Sequence, residues 1–229
     1  MASIAANLQA VRSRIARAAK AARRHSGDIA LVAVSKTFPA AHIAEAFAAG
    51  QTAFGENHVQ EAVEKITVLA ALPLEWHFIG PIQSNKTRLI AECFQWVHGV
   101  DREKIAQRLN AARPDGTPPL NVCIQVNVSG EAAKSGITPG EEVKLAAVIA
   151  RLPRLKLRGL MAIPEPTTDV ALQRRRFALL RELKDRLAAR GHALDTLSMG
   201  MSDDLEAAIM EGATMVRVGT AIFGQRQKT

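Results

Sequence analysis

Short apolar runs and amphipathic runs alternate along this chain. The runs 29–35 (IALVAVS), 52–56 (TAFGE), 74–79 (LEWHFI), 96–100 (WVHGV), 120–128 (LNVCIQVNV), 157–163 (LRGLMAI), 194–199 (LDTLSM) and 214–219 (TMVRVG) read as strands. Between them, helical patterns lie near 40–49, 58–70, 84–93, 102–112, 140–151, 169–190 and 202–211. Ser84 and Ser202 stand where N-caps belong; Gly50, Gly191 and Gly212 stand where helices end. A further helix is expected within residues 1–25, with Ile4, Leu8, Val11 and Ile15 on one face.

Eight strands alternating with helices predict parallel β-α units. Regular spacing without a long linker favours one α/β domain over residues 1–229: a closed (β/α)8 TIM-type barrel preceded by an extra helix. A doubly wound open sheet is the alternative, but no GxGxxG or P-loop supports it. In a barrel, chemistry collects at the C-terminal ends of the strands.

Composition narrows the classes. The chain has 229 residues, 48% of them apolar, which excludes intrinsic disorder. No run of 18 apolar residues exists, so no membrane helix is expected. Cys93 and Cys123 form no CxxC pattern, which fits a reducing cytoplasmic setting. The six histidines show no HxH or HExxH spacing, so no metal site is expected. Tyrosine is absent, so no step can use a phenol.

The net charge of +8 is local. Residues 12–24 carry six bases and no acid; residues 173–190 carry seven bases and two acids. Such helices read either as a nucleic-acid surface or as solvated faces. No stacking aromatics accompany the bases, so nucleic acid is not expected as a partner. The basic N-terminus also has the composition of a mitochondrial presequence, but its apolar face favours a structural helix.

Lys36 ends the first strand, sharing a face with Val32 and Val34. If that face points into the barrel, apolar surroundings favour the neutral amine, which can form a Schiff base. The plain alternative is a snorkelling lysine at a strand end. Arg217 sits between apolar residues in the last strand, and a buried guanidinium needs an acceptor or an anion. Gly219 and Thr220 follow it, and Ser198, Gly200 and Ser202 end the seventh strand. Both turns suit a phosphate at the barrel mouth. Asp203 and Asp204 are expected to turn away from such an anion. Asn57, after the second strand, is either a donor to a ring oxygen or a turn residue.

A Schiff-base lysine, an arginine and a phosphate cradle describe a pyridoxal-phosphate pocket. The stretches Val34-Ser35-Lys36-Thr37, Phe54-Gly55-Glu56-Asn57, Trp76 to Lys86, Ser135-Gly136, Arg158 to Pro164, Ser198 to Asp204 and Arg217 to Gly224 closely resemble the pyridoxal phosphate homeostasis protein family, also called proline synthase co-transcribed proteins. That resemblance implies a barrel related to the N-terminal domain of alanine racemase. It implies pyridoxal 5'-phosphate joined to Lys36 as an internal aldimine, Arg217 near the pyridine nitrogen, and phosphate contacts from residues 198–202 and from Gly219 and Thr220.

Two departures from the family pattern are visible. His58 stands where many relatives have tyrosine. Phe38 stands where some have a second lysine, leaving Lys86 and Lys134 as the nearest alternatives. The expected role is a cytoplasmic cofactor carrier in vitamin B6 and amino-acid homeostasis, with apo enzymes as possible recipients, as a monomer or weak dimer. A barrel-type racemase or decarboxylase is the alternative. Racemisation needs a second proton-transfer group opposite the lysine. Alanine racemase uses a tyrosine there, and this chain has none.

Overall fold

The computed structural model describes residues 3–131 and 135–225. Helix α1 (Ile4–Ala21) comes first, and Ser3 caps it by accepting the Ala6 N–H. Its predicted face, Ile4, Leu8, Val11 and Ile15, is buried against α2 (Ala40–Ala48), α8 (Leu205–Met210) and α9 (Thr220–Phe223). The segment thus packs as a structural helix.

The eight strands are β1 (Ala30–Val34), β2 (Ala53–Glu56), β3 (Glu75–Phe78), β4 (Trp96–Val100), β5 (Leu120–Gln125), β6 (Leu155–Met161), β7 (Thr196–Ser198) and β8 (Met215–Val218). They close in sequence order, all parallel, with β8 against β1. The remaining helices are α3 (Val59–Val68), α4 (Thr87–Cys93), α5 (Glu103–Ala112), α6 (Glu142–Ile149) and α7 (Val170–Ala188). The TIM-type barrel expected from the alternation is therefore the observed fold.

Strand alternation divides the side chains into two sets. One faces outward and merges with the helices into a continuous apolar shell, which includes Ala33, Phe54, Val97, Ile124, Val216 and Val218. The other faces inward. Its apolar part is a small cluster of Val32, Trp96, Cys123, Met161 and Met215.

Three local expectations change or gain detail. Gly50, Gly191 and Gly212 do follow helices, each at positive φ. Ser84 is not an N-cap: it opens a 3-10 turn (Ser84–Lys86), and its carbonyl accepts the Thr87 hydroxyl. Nor does Ser202 cap α8. That helix starts later, behind Asp204, whose carboxylate is already taken by the Met201 N–H (2.6 Å). The short helix α9, directly after β8, has no counterpart among the predicted elements.

The basic helices spend much of their charge inside the chain. Arg12 donates to the carbonyls of Ala49 and Gly50, and Arg14 pairs with Glu206. On α7, Arg174 and Arg181 hold Glu211, Arg176 holds Glu165, and Arg186 faces Glu142. These arginines tie α1 and α7 to their neighbours.

Candidate functional site

Two outward-facing contacts fix the end of β1. Ser35 Oγ donates to Glu56 Oε1 (2.6 Å), and the Thr37 N–H donates to Glu61 Oε1 (2.6 Å). Lys65, buried on α3, joins them: its Nζ donates to Ser35 O (2.9 Å), Glu56 Oε1 (2.8 Å) and Glu61 Oε1 (2.6 Å). Burial pushes the Glu56 carboxyl up, opposed by the adjacent ammonium. Thr37 is held at φ 69°, an unusual backbone for a β-branched residue. Lys36 lies between these two anchored neighbours, on the inward face.

Lys36 lines a cavity of about 330 Å³ at the C-terminal mouth of the barrel. Asn57, Ser202, Arg217, Gly219 and Thr220 line the same cavity, so six of the eight expected site residues meet there. Val34, Phe38, Ile79 and Ile163 give it apolar walls.

Ser198 and Gly200 lie beneath the cavity and do not line it. Ser198 is fully buried, with its hydroxyl accepting from Arg217. Gly200 sits at φ +96° with Ala208 behind it; a Cβ there would lie 2.7 Å from that methyl, and its carbonyl takes the Arg217 N–H. Asp203 corrects another expectation. It lines the cavity, because residues 202–204 form a turn and not the first turn of a helix. Only Asp204 folds back, onto Met201.

Arg217 is 3% exposed. Its guanidinium donates to Ser198 Oγ (2.5 Å) and Ala162 O (2.8 Å). Burial pulls its pKa down to about 10, so it remains cationic at neutral pH. A guanidinium has five donors, which leaves N–H capacity for the cavity it lines. Asn57 Oδ1 is buried there without a hydrogen-bond partner, an acceptor that suits a polar ligand. Gly219 lets β8 close on β1: a Cβ there would lie 3.1 Å from Val34 O. The first N–H groups of α9 have no acceptor within their own helix. A cation, an orphaned amide, an amine and hydroxyls around one apolar-walled space fit a small phosphorylated aldehyde.

His58 is exposed and precedes α3, outside the cavity wall, whereas Phe38 lines it. Lys86 does not line it, and Lys134 lies outside the described residues. Sequence reasoning missed the Glu56–Lys65–Glu61 cluster and a buried histidine pair, His77 and His98. A sequence signal existed for the pair: each histidine stands between apolar residues within a strand, as Arg217 does. Among the described residues no three metal-ligating side chains cluster, and no helix is long and apolar enough to cross a membrane.

Comparison with known proteins agrees with this geometry. The profile of the family described as alanine racemase, N-terminal domain, matches residues 6–227. The pyridoxal phosphate homeostasis protein of Pseudomonas aeruginosa is 63% identical over 226 residues, covering 99% of this chain and 97% of that one. Its Escherichia coli K12 counterpart is 55% identical over 232 residues, covering 99% and 98%. Among solved structures, PipY of Synechococcus elongatus with PLP bound superposes with a TM-score of 0.84 at 37% identity, covering 97% of this chain and all of that one (100%). Alanine racemase of Corynebacterium glutamicum shares the fold, with a TM-score of 0.73 at 16% identity over 96% of this chain and 59% of its own. The chain belongs to the pyridoxal phosphate homeostasis protein family, built on the alanine racemase N-terminal domain.

Proposed function

We propose that the protein holds pyridoxal 5'-phosphate in the barrel mouth and serves intracellular vitamin B6 and amino-acid homeostasis as a carrier without efficient catalysis. One observation carries this reading: the Lys36 amine and the Arg217 guanidinium line a single cavity, in a chain 37% identical to PipY, which was solved with PLP bound. The cofactor supplies an aldehyde, a basic ring nitrogen and a phosphate dianion.

Lys36 Nζ is the covalent attachment point, with its backbone anchored through Ser35 and Thr37. Arg217 faces the ring nitrogen as a hydrogen-bond donor, which leaves that nitrogen unprotonated and weakens the ring as an electron sink. Asn57 takes a ring oxygen. Ser202, Gly219 and Thr220 supply hydroxyl and N–H donors to phosphate. Ser198 and Gly200 act at one remove, by holding Arg217. The setting is cytoplasmic, where Cys93 and Cys123 remain free thiols. The recipients are apo enzymes that need the cofactor.

The racemase or decarboxylase reading asks for a second proton-transfer group facing Lys36. Among the described residues, Asp203 is the only titratable side chain of the cavity wall besides Lys36 and Arg217. No tyrosine is present to fill the role it has in alanine racemase.

The test is an absorption titration of the purified protein with pyridoxal 5'-phosphate. A band that appears on addition and vanishes in Lys36→Ala supports the reading; no band at saturating cofactor overturns it. Racemase and decarboxylase assays on the loaded protein then separate the roles. Turnover at about 1 per second or faster contradicts the carrier.

A further inference from the structure

The barrel interior holds an unbroken polar chain that the cofactor site alone does not require. Starting from the cavity, Arg217 Nη1 meets Ser198 Oγ at 2.5 Å. Ser198 Oγ lies 2.7 Å from His98 Nδ1, and His98 Nε2 lies 3.0 Å from His77 Nδ1. His77 Nε2 lies 2.8 Å from Glu75 Oε1. Both imidazoles, Ser198 and Arg217 are buried, while the Glu75 side chain is 48% exposed. Glu75 begins β3, at the end of the barrel opposite the cavity, in a depression it shares with Arg12, Gly50 and Gln51.

The chemistry of the two ends fixes the direction of every bond between them. Arg217 only donates, so Ser198 Oγ accepts from it. A carboxylate only accepts, so His77 Nε2 carries a proton toward Glu75. Burial pushes both imidazoles below their ordinary value and keeps them neutral, with one N–H each. His77 Nδ1 is then an acceptor and takes the proton of His98 Nε2. His98 Nδ1 is in turn an acceptor and takes the Ser198 hydroxyl proton. Donation runs one way, from Arg217 through Ser198, His98 and His77 to Glu75.

The reverse direction needs a protonated Glu75. The neighbours of Glu75 oppose that: His77 and the Trp96 indole donate to it, and Arg158 is close by. These groups hold its carboxyl below the usual range against partial burial. Arg158 lies over the Trp96 ring, 4.6 Å from its centroid, and is paired with Asp195. Trp96 stacks on His77 at 5.4 Å between centroids and so fixes the plane of that imidazole.

We infer that Glu75 is a remote positioning residue for Arg217: by accepting from His77 it sets both imidazoles as Nε2–H tautomers and turns the Ser198 oxygen to the guanidinium lining the cavity. The consequence for cofactor retention rests on the function proposed above; the tautomers do not. Without an acceptor at position 75, His77 Nε2–H is left unpaired in the interior. The low-cost response is to move its proton to Nδ1. His98 must then carry its own on Nδ1, and Ser198 faces two donors at once with no acceptor for its hydroxyl. Arg217 loses its partner geometry.

The experiment is long-range 15N–1H correlation of the imidazoles in the cofactor-free protein, followed by cofactor titration. Wild type is expected to show Nε2–H for His77 and His98. Glu75→Met is expected to convert both to Nδ1–H and to weaken pyridoxal 5'-phosphate retention by about three- to tenfold, the scale of one disturbed hydrogen bond. Glu75→Gln keeps an acceptor and is expected to retain the wild-type tautomers. Unchanged Nε2–H forms in Glu75→Met overturn the inference, and so does Nδ1–H in wild type. Should Glu75→Met fail to fold, His77→Phe, which removes the same link, is expected to free His98 from the Nε2–H form; a fixed Nε2–H there overturns the inference equally. A wild type that binds no cofactor yet shows both Nε2–H forms overturns the proposed function and leaves the chain standing.

Discussion

The same eight strands face two unlike regions. Outward, they meet the helices in a shell of buried aliphatic and aromatic side chains that runs from Ile4 to Phe223. Inward, the apolar part shrinks to Val32, Trp96, Cys123, Met161 and Met215, and the rest of the interior includes His77, His98, Ser198 and Arg217. The shell has few hydrogen-bond demands and can be dense. The interior has to pair its polar atoms, because a buried unpaired donor or acceptor costs about 1–3 kcal/mol; an exception, Asn57 Oδ1, borders the cavity. The difference assigns stability to the shell and ligand chemistry to the interior. One inclusion crosses the line: the Glu56–Lys65–Glu61 cluster lies on the shell side, yet it anchors the residues on both sides of Lys36.

The sharpest way to break this division is to damage the shell alone. Phe177 is fully buried on α7, away from the cavity wall. Phe177→Ala is expected to cost about 3–5 kcal/mol of unfolding free energy in urea and to leave cofactor affinity within twofold. A tenfold loss of affinity in the folded variant would show that the two regions are not separable.

Lys65 should behave differently, as the crossing point. Lys65→Met leaves two carboxylates without their cation and is expected to cost about 3 kcal/mol or more. Unlike Phe177→Ala, it should also slow or diminish the band formed with pyridoxal 5'-phosphate, since Ser35 O loses its donor and the two carboxylates that hold Ser35 and Thr37 lose the cation between them. A destabilised variant with a normal band would confine Lys65 to the shell.

The interior leaves its mark on the pH dependence of stability. His77 and His98 have folded pKa values lowered by burial from 6.5, that of His98 strongly. Below about pH 6.5 the unfolded chain therefore binds protons that the native imidazoles do not, and stability falls as the pH falls. Between pH 6.5 and 5.5 each group that stays neutral is expected to remove about 1 kcal/mol. Denaturation across that window should show a loss of about 1 kcal/mol from His98 with a further loss from His77, and the loss should shrink in His98→Gln. A flat profile would mean that the native pair takes up protons as readily as the unfolded chain does, against the effect of burial. The smallest effect concerns Cys123, whose thiol burial pushes up to about 12. Brief alkylation of the native protein at pH 8 should modify Cys93 ahead of Cys123, as read by mass spectrometry.

What could be read from the sequence follows the same division. Strand alternation marks Lys36 and Arg217 as charged residues on apolar faces, but it leaves open whether those faces point into the barrel; the closed sheet turns both inward. Ser198 was placed at the right strand end, but its partner was not deducible. Its hydroxyl serves Arg217 on the neighbouring strand β8 and His98 on β4, and the second contact depends on how non-adjacent strands meet across the barrel. The His77–His98 pair depends on the β3–β4 register, which sets His77 opposite Trp96. Lys65 reads as one more base on an amphipathic helix until α3 is docked over Glu56. The start of α8 differs from the expectation because residues 202–204 form a turn, and Asp204, not Ser202, stands at the helix start.

Lys36, at the meeting point of the two regions, is the proposed attachment point of the cofactor. The most direct measurement is borohydride reduction of the protein loaded with pyridoxal 5'-phosphate, followed by peptide mapping. A single reduced pyridoxyl adduct on Lys36, absent from Lys36→Ala, is the expected result. An adduct on Lys86, on Lys134 or spread over many lysines, with Lys36 unmodified, would contradict it.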